Sequence, residues 1–262
     1  MSPDAVVNLF ASISDRCAEI VVANDDWAQT NNGRGQYRVD LEVDAACVPP
    51  LLSAGFAVLS EESGLQWPDG VAGGDPAATS VVVVDPLDGS TNASLGLPWC
   101  ATALCLVERG VPSVAMVTNL VTGRRYHAVR GVGAWRDGMP IEVAPVHLTD
   151  AVVAVSGLPH EYYGWRQFRA LGASALDISL VAEGAFGGFV DTNDRAHGVW
   201  DYLAAMLIVE AAGGAVADAL GDDLVVFDHD ARRTPVAAAT PELLAELLGA
   251  RAQTRTGAES GT

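Results

Sequence analysis

Apolar positions recur at helical spacing through residues 4–23, and a second helix is predicted from near Asp40 to Pro49-Pro50, where two missing N–H groups should stop it. Residues 57–143 change pattern. Short apolar runs separated by Gly, Asn and Asp read as strands and tight turns, notably over residues 101–108, 113–119, 124–129 and 131–136. Residues 151–247 then alternate strand and helix, with DISLVAEGAF and the stretch holding Leu203, Met206, Leu207 and Val209 at helical period. This division predicts an α+β half over residues 1–148 and an α/β half over 149–250. The polar end, residues 251–262 (RAQTRTGAESGT), reads as a disordered tail.

Three of the apolar elements meet a carboxylate. Residues 81–92 read VVVVDPLDGSTN: four β-branched valines form a strand expected to be buried on both faces, ended by Pro86 and Gly89. Asp85 and Asp88 are spaced so that both carboxylates can grip a metal. Phe56, Val58 and Leu59 lead to Glu61-Glu62-Ser63-Gly64, and Trp200-Asp201 opens the helical stretch after it. An Asp-Pro-x-Asp-Gly segment alone is also an ordinary polar turn. Three acid-bearing boundaries argue for chemistry instead. Gly89, Ser90 and Thr91 follow the acids where a helix can start, and unpaired N–H groups at such a start favour an anion; a side chain on Gly89 would obstruct that approach.

A chain of 262 residues, half of them hydrophobic, can bury a substantial core. No apolar run approaches the roughly 18 residues that cross a bilayer, and MSPDAVVNLF lacks a basic secretory start, so a cytoplasmic protein is expected. Cys17, Cys47, Cys100 and Cys105 have no Cys-x-x-Cys pairing and read as reduced, buried small hydrophobes. The formal charge of −18 argues against nucleic acid or an anionic membrane as partner. It would also repel a phosphorylated substrate, unless bound cations invert the sign locally.

The ordered motifs resemble the inositol monophosphatase family of magnesium-dependent, lithium-sensitive phosphatases: EES at residues 61–63, DPLDGSTN at 85–92, WD at 200–201 and EAAGG at 210–214. The resemblance spans most of the chain. It implies a layered α-β-α-β-α sandwich, a homodimer, and hydrolysis of inositol monophosphate or a similar small cyclic polyol or sugar phosphate. It further implies two Mg²⁺ ions: Glu61, Asp85 and the Leu87 carbonyl around one, with Asp85 bridging to a second held by Asp88 and Asp201. A looser third ion near Glu61 belongs to the same pattern. Ser90 stands where the family usually has a threonine that orients the attacking water, with Asp40 as its partner and Asp44 as rival. Ser174, in the turn GASA, and Asp191 would hold substrate hydroxyls, Asp194 being the alternative to Asp191. Glu61, Asp40 and Ser90 thus form the expected catalytic group, and Asp88, Gly89, Ser90, Thr91, Ser174, Asp191 and Asp201 the substrate contacts.

The chain departs from the pattern at Ala93, where many members carry an aromatic; the small side chain would widen that part of the pocket or leave it for another side chain. The segment WAQTNNGRGQYRVD also lacks the Lys that members often place there. Fructose-1,6-bisphosphatase is a related alternative that needs basic residues for a second phosphate; Arg124-Arg125 and Arg166/Arg169 are the clusters available. Histidinol-phosphate and nucleotide-directed phosphatases are further alternatives, and a non-catalytic polyol-binding or scaffold protein is the reading from another class. Trp200 reads as a structural cover for the helix start, and Glu62 as a solvated neighbour. The run His160-Glu161 begins like a zinc-protease helix, but Gly164 replaces the second histidine.

Overall fold

The computed structural model describes residues 1–30, 36–159 and 161–259, with side chains placed through Gln253. His160 and residues 31–35, part of the segment before Asp40, lie outside the described residues.

Helix α1 (Pro3–Ala23) starts at Ser2, whose hydroxyl accepts from the Ala5 N–H. It buries Val6, Phe10, Ile13, Cys17 and Val21, one stripe at helical spacing. Helix α2 (Arg38–Ser53) packs beside it and continues through Pro49 and Pro50, correcting the expected stop. The prolines remove two backbone donors. Val48 and Leu51 nevertheless bury the last turn against the core, and the Ala54 N–H closes it on the Pro50 and Leu51 carbonyls. Cys17 and Cys47 bring their sulfurs to 3.3 Å where the two helices touch, and all four cysteines are free and buried.

Eight strands form the first sheet: β1 (Ala57–Ser60), β2 (Gly64–Gln66), β3 (Ser80–Asp88), β4 (Ala101–Glu108), β5 (Val111–Asn119), β6 (Arg125–Val129), β7 (Gly133–Arg136) and β8 (Met139–Pro140), in the order β2-β1-β3-β4-β5-β6-β7-β8. Only β1 and β3 pair in parallel; every other pairing in this sheet is antiparallel. Short helix α3 (Ser90–Ser94) follows β3. The second sheet holds β9 (Val152–Ser156), β10 (Gln167–Arg169), β11 (Gly188–Asp191), β12 (Ala215–Asp218) and β13 (Pro235–Ala238), ordered β10-β9-β11-β13-β12. Helices α4 (Ser174–Ala182) and α5 (Leu203–Ala211) lie between the sheets, and α6 (Pro241–Glu259) covers the outer face of the second. The layers are therefore α1/α2, sheet, α4/α5, sheet, α6.

The valine run shows why this stacking forms. Val81 and Val83 face the core shared with α4 and α5, whereas Val82 and Val84 face the core under α1 and α2. Period-two alternation on a strand covered by helices on both sides demands apolar residues at every position. Pro86 does not end β3 as expected. The pairing with β4 shifts register between Asp85 and Asp88, and the strand resumes to Asp88 before Gly89 turns it at φ +82°.

The expected disordered tail is also corrected, because α6 runs to Glu259. Arg251 is only 2% exposed, donating from Nε to the Asp191 carbonyl and pairing through Nη2 with Asp194. Composition suggested a solvated end, but this one arginine is consumed in docking the helix.

Candidate active site

β1 carries the chain to Glu61, whose N–H donates to the Val84 carbonyl at 3.1 Å and so ties the acid to the neighbouring strand. β3 carries Asp85 and, past its irregularity, Asp88. Asp201 closes a single helical turn before α5, its Oδ2 accepting the Gly198 N–H at 2.7 Å. One carboxylate oxygen from each of Glu61, Asp85 and Asp201 lies within 4.8 Å of the others.

Such crowding is costly without a cation. Burial, then mutual repulsion, raises the carboxyls of Glu61 and Asp85 well above their ordinary range. Asp88 is raised by burial and by Asp201, against the opposing backbone donors of Ala175 and Ser174. Asp201 is raised by burial while His197 and Arg232 partly counter it. Both oxygens of Asp88 are engaged, accepting the Ser174 N–H at 3.2 Å and the Ala175 N–H at 2.8 Å at the start of α4. A carboxylate oxygen has two acceptor sites, so one remains on each.

The acids open into a cavity of about 590 Å³. Asp40, Glu62, Leu87, Gly89 and Ser90 complete the acidic side, and Trp200, His229 and Arg232 form another part of the wall. Asp40 takes the Tyr37 N–H on Oδ2 at 2.7 Å, while its buried Oδ1 has no partner among the described residues. Burial pushes its carboxyl up to about 7. Asp44, by contrast, is held by the Ser60 hydroxyl and does not line the cavity. Glu62 lines the cavity, partly exposed, and accepts from Gln36 Nε2. Trp200 likewise reaches the wall while 4% exposed.

Several expected contacts fall elsewhere. Asp191 is fully buried: Oδ1 accepts the Asn193 N–H, and Oδ2 meets His197 Nδ1 at 2.7 Å. All four residues of β11 are buried, so its last side chain turns into packed structure rather than toward the cavity. Asp194 pairs with Arg251 and also stays outside the wall. The Ser174 hydroxyl is within 2.8 Å of His197 Nε2, completing an Asp191, His197, Ser174 chain that ends at the backbone donor to Asp88. Thr91 is exposed and absent from the wall. Ala93 is buried in the core beneath α1 and α2, so its small side chain does not widen the cavity. The reason for glycine at position 89 also differs from the expectation. A Cβ there would meet Ala173 Cβ and the Trp99 carbonyl at 3.0 Å, and the positive φ already disfavours one.

His197, His229 and Arg232 were missed by motif reasoning. Only the distance of His197 from Trp200-Asp201 hinted at the first, and nothing in the Arg232-Arg233 pair marks which arginine faces the acids.

Fold and cleft together define a layered α/β enzyme with an acidic site that could hold a cation at the exits of β1 and β3. The chain belongs to the inositol monophosphatase family, whose profile matches residues 54–256. Members are metal-dependent phosphatases, and this chain is a phosphatase of that family. It is 30% identical over 231 residues to a probable inositol 1-monophosphatase ImpA of Mycobacterium tuberculosis, covering 80% of this chain and 79% of that protein. It is 29% identical over 214 residues to a fructose-1,6-bisphosphatase of Pyrococcus furiosus, covering 80% and 81%. Among solved structures, a Pyrococcus horikoshii protein with similarities to inositol-1 monophosphatase superposes with a TM-score of 0.82 at 24% identity, over 95% of this chain and 99% of that one.

Proposed function

We propose that the protein hydrolyses the phosphate monoester of a small cyclic polyol or sugar, with inositol monophosphate as the leading substrate and Mg²⁺ as the cofactor. The observation that carries this reading is the convergence of Glu61, Asp85 and Asp201 within 4.8 Å at the floor of a cavity also lined by Asp88. An all-oxygen donor set suits a hard cation that prefers oxygen at about 2.0–2.1 Å and keeps several waters. Their upward-shifted carboxyls supply the fit test: buried, mutually repelling acids are stabilised in the charged form by divalent ions. Glu61, Asp85 and the Leu87 carbonyl would hold one ion, and Asp85, Asp88 and Asp201 a second. Bound there, the ions would supply a lowered water pKa and neutralisation of phosphoryl charge.

The protein's own groups do the rest. Asp40 and Ser90 share the wall, and Asp40 keeps one oxygen without a partner among the described residues, with a carboxyl raised to about 7, matched to taking a proton from the attacking water at neutral pH through the Ser90 hydroxyl. That unpaired oxygen favours Asp40 over Asp44, which the Ser60 hydroxyl already engages. Gly89 and Ser90 begin α3 at the wall, where free N–H groups favour the ester's phosphoryl oxygens. The Ser174 and Ala175 N–H groups orient Asp88, and Asp191 and His197 fix Ser174 in turn. Asp191 thereby acts behind the wall, not on the substrate.

The test is phosphate release from a panel of inositol, sugar and nucleotide monophosphates with and without Mg²⁺ and Li⁺. We expect Mg²⁺-dependent turnover of a polyol or sugar ester. Absence of turnover on every ester with Mg²⁺ would overturn the reading in favour of a binding or scaffold role.

A further inference from the structure

Glu61 and Asp201 reach the acid cluster from different layers, Glu61 at the exit of β1 and Asp201 from the single turn before α5. Burial and then the Asp201 charge raise the Glu61 carboxyl, so the two acids push apart when no cation lies between them. A cage built from such elements needs something that fixes their spacing. His229 is placed to do so. Its Nε2 lies 2.8 Å from the Glu61 carbonyl oxygen, which can only accept, so that nitrogen carries the hydrogen. The same ring packs on the Trp200 indole with centroids 4.8 Å apart, and Trp200 immediately precedes Asp201. One side chain thus grips the backbone of one expected ligand and the neighbour of another.

The loop that carries His229, between β12 and β13, is itself tied down. Leu224, Val225, Val226 and Phe227 pack against the core between the sheets, and the Tyr202 hydroxyl donates to the Leu224 carbonyl at 2.8 Å. Asp218 closes the base of the loop, accepting the Thr234 N–H at 2.6 Å and the Leu220 N–H at 2.7 Å. Nearer the cavity, Arg232 Nη1 donates to the carbonyls of His229 at 2.8 Å and Ala231 at 2.9 Å, with its guanidinium carbon 5.2 Å from the Trp200 centroid. The His229 ring also covers the turn after β1, where a Cβ on Gly64 would meet Cδ2 at 4.0 Å. The Glu61 residue is therefore held at both ends, its N–H by Val84 of its own sheet and its carbonyl by a loop of the second half.

Resting on the Mg²⁺ reading above, we infer that His229 is a positioning residue that holds Glu61 at the spacing a small divalent cation requires, and so sets the preference of the site for Mg²⁺ over larger ions. Mg²⁺ demands oxygens at about 2.0–2.1 Å in a near-ideal octahedron, whereas Ca²⁺ accepts about 2.3–2.6 Å and an irregular cage. Releasing the Glu61 backbone therefore weakens Mg²⁺ more than Ca²⁺. Groups that orient metal ligands from behind are commonly worth about 10–100-fold in affinity.

The experiment titrates the whole protein calorimetrically with Mg²⁺ alone and with Ca²⁺ alone, at one pH and without any ester. His229→Phe keeps a ring against Trp200 and removes the donor. It should weaken Mg²⁺ binding about tenfold and Ca²⁺ binding by less than about threefold, so that the ratio of the two affinities falls. His229→Gln returns an N–H donor at similar reach and should bring the ratio back to within about threefold of the unsubstituted protein. His229→Ala, which adds no bulk, supplies the donor-free variant if His229→Phe does not give a cooperative melt. An equal loss of both cations in the donor-free variant would mark a merely structural role and overturn the inference. So would an unchanged ratio, a His229→Gln ratio no better than that of the donor-free variant, or no Mg²⁺ binding by the unsubstituted protein. The titrations contain no ester, so turnover with an unchanged cation ratio sinks this inference alone, and His229-dependent cation preference without turnover sinks the phosphatase reading alone.

Discussion

Asp85 sits at the centre of the acid cluster, 1% exposed, between Glu61 and Asp201, and has no compensating ion pair of its own among the described residues. Replacing it with Asn removes both a cation ligand and a source of repulsion. We expect Asp85→Asn to lower turnover by about 10²–10³-fold, yet to raise the melting temperature of chelator-treated protein. Loss of both activity and fold would show that Asp85 is structural. The same reasoning sets a pH dependence. Asp40 and Asp177 are both raised to about 7, by burial first, and the cluster acids are raised too. An acid with a raised folded pKa binds its proton more tightly when folded, so the stability it contributes is full below about 4 and is lost as pH rises through its folded value. His197 is raised as well, because its bond to Asp191 and the surrounding acids outweigh the opposing effect of burial; its contribution is also lost on going alkaline. Thermal melts in chelator should therefore show higher stability near pH 5.5 than near pH 8, with Mg²⁺ narrowing the gap. A metal-free melting temperature that climbs across that range would contradict the cluster as drawn. His197 also allows a positioning test. It touches no cavity surface, so His197→Gln should cost about 10–100-fold in kcat with little change in KM, through Ser174 and Asp88.

At the scale of elements, the site depends on how α4 and α6 are docked. α4 presents its first N–H groups to Asp88, coupling a helix start to the end of β3. α6 delivers Arg251 into the second sheet, where it satisfies the Asp191 carbonyl and pairs with Asp194. Removing Arg251 strips the Asp191 carbonyl of a buried donor, at roughly 1–3 kcal/mol, while exposed Asp194 stays solvated. Arg251→Ala should accordingly destabilise the fold by about 2 kcal/mol in urea unfolding, whereas a loose tail would tolerate the change. Reading RAQTRTGAESGT as tail followed its composition; Arg251 escaped because its role comes from a loop some sixty residues earlier, near Asp191. The prolines of α2 misled for a related reason. Local propensity marked an end, but burial of Val48 and Leu51 outweighed two lost donors.

Across the whole molecule, one core joins what the sequence pattern divided. Side chains of β3, β4 and β5 share a continuous apolar cluster with α4, α5 and β11, so the layer between the sheets is built by both halves together. We expect a single cooperative calorimetric transition, and no cooperative unfolding from a fragment ending at residue 148. Two independent transitions would show that the shared layer is weaker than its burial implies.

Order along the chain determined the layers and the meeting of acids. Alternating valines require helices on both faces of β3, and each acid sits where an apolar element must emerge from the core, which fixes its place regardless of distant neighbours. Only the tertiary structure decided which way Asp191 turns, that His197 joins it to Ser174, and that Arg232 rather than the other arginines faces the cavity. Those outcomes depend on which side chains surround each residue from other layers, and burial by distant segments leaves no periodic mark in the local sequence.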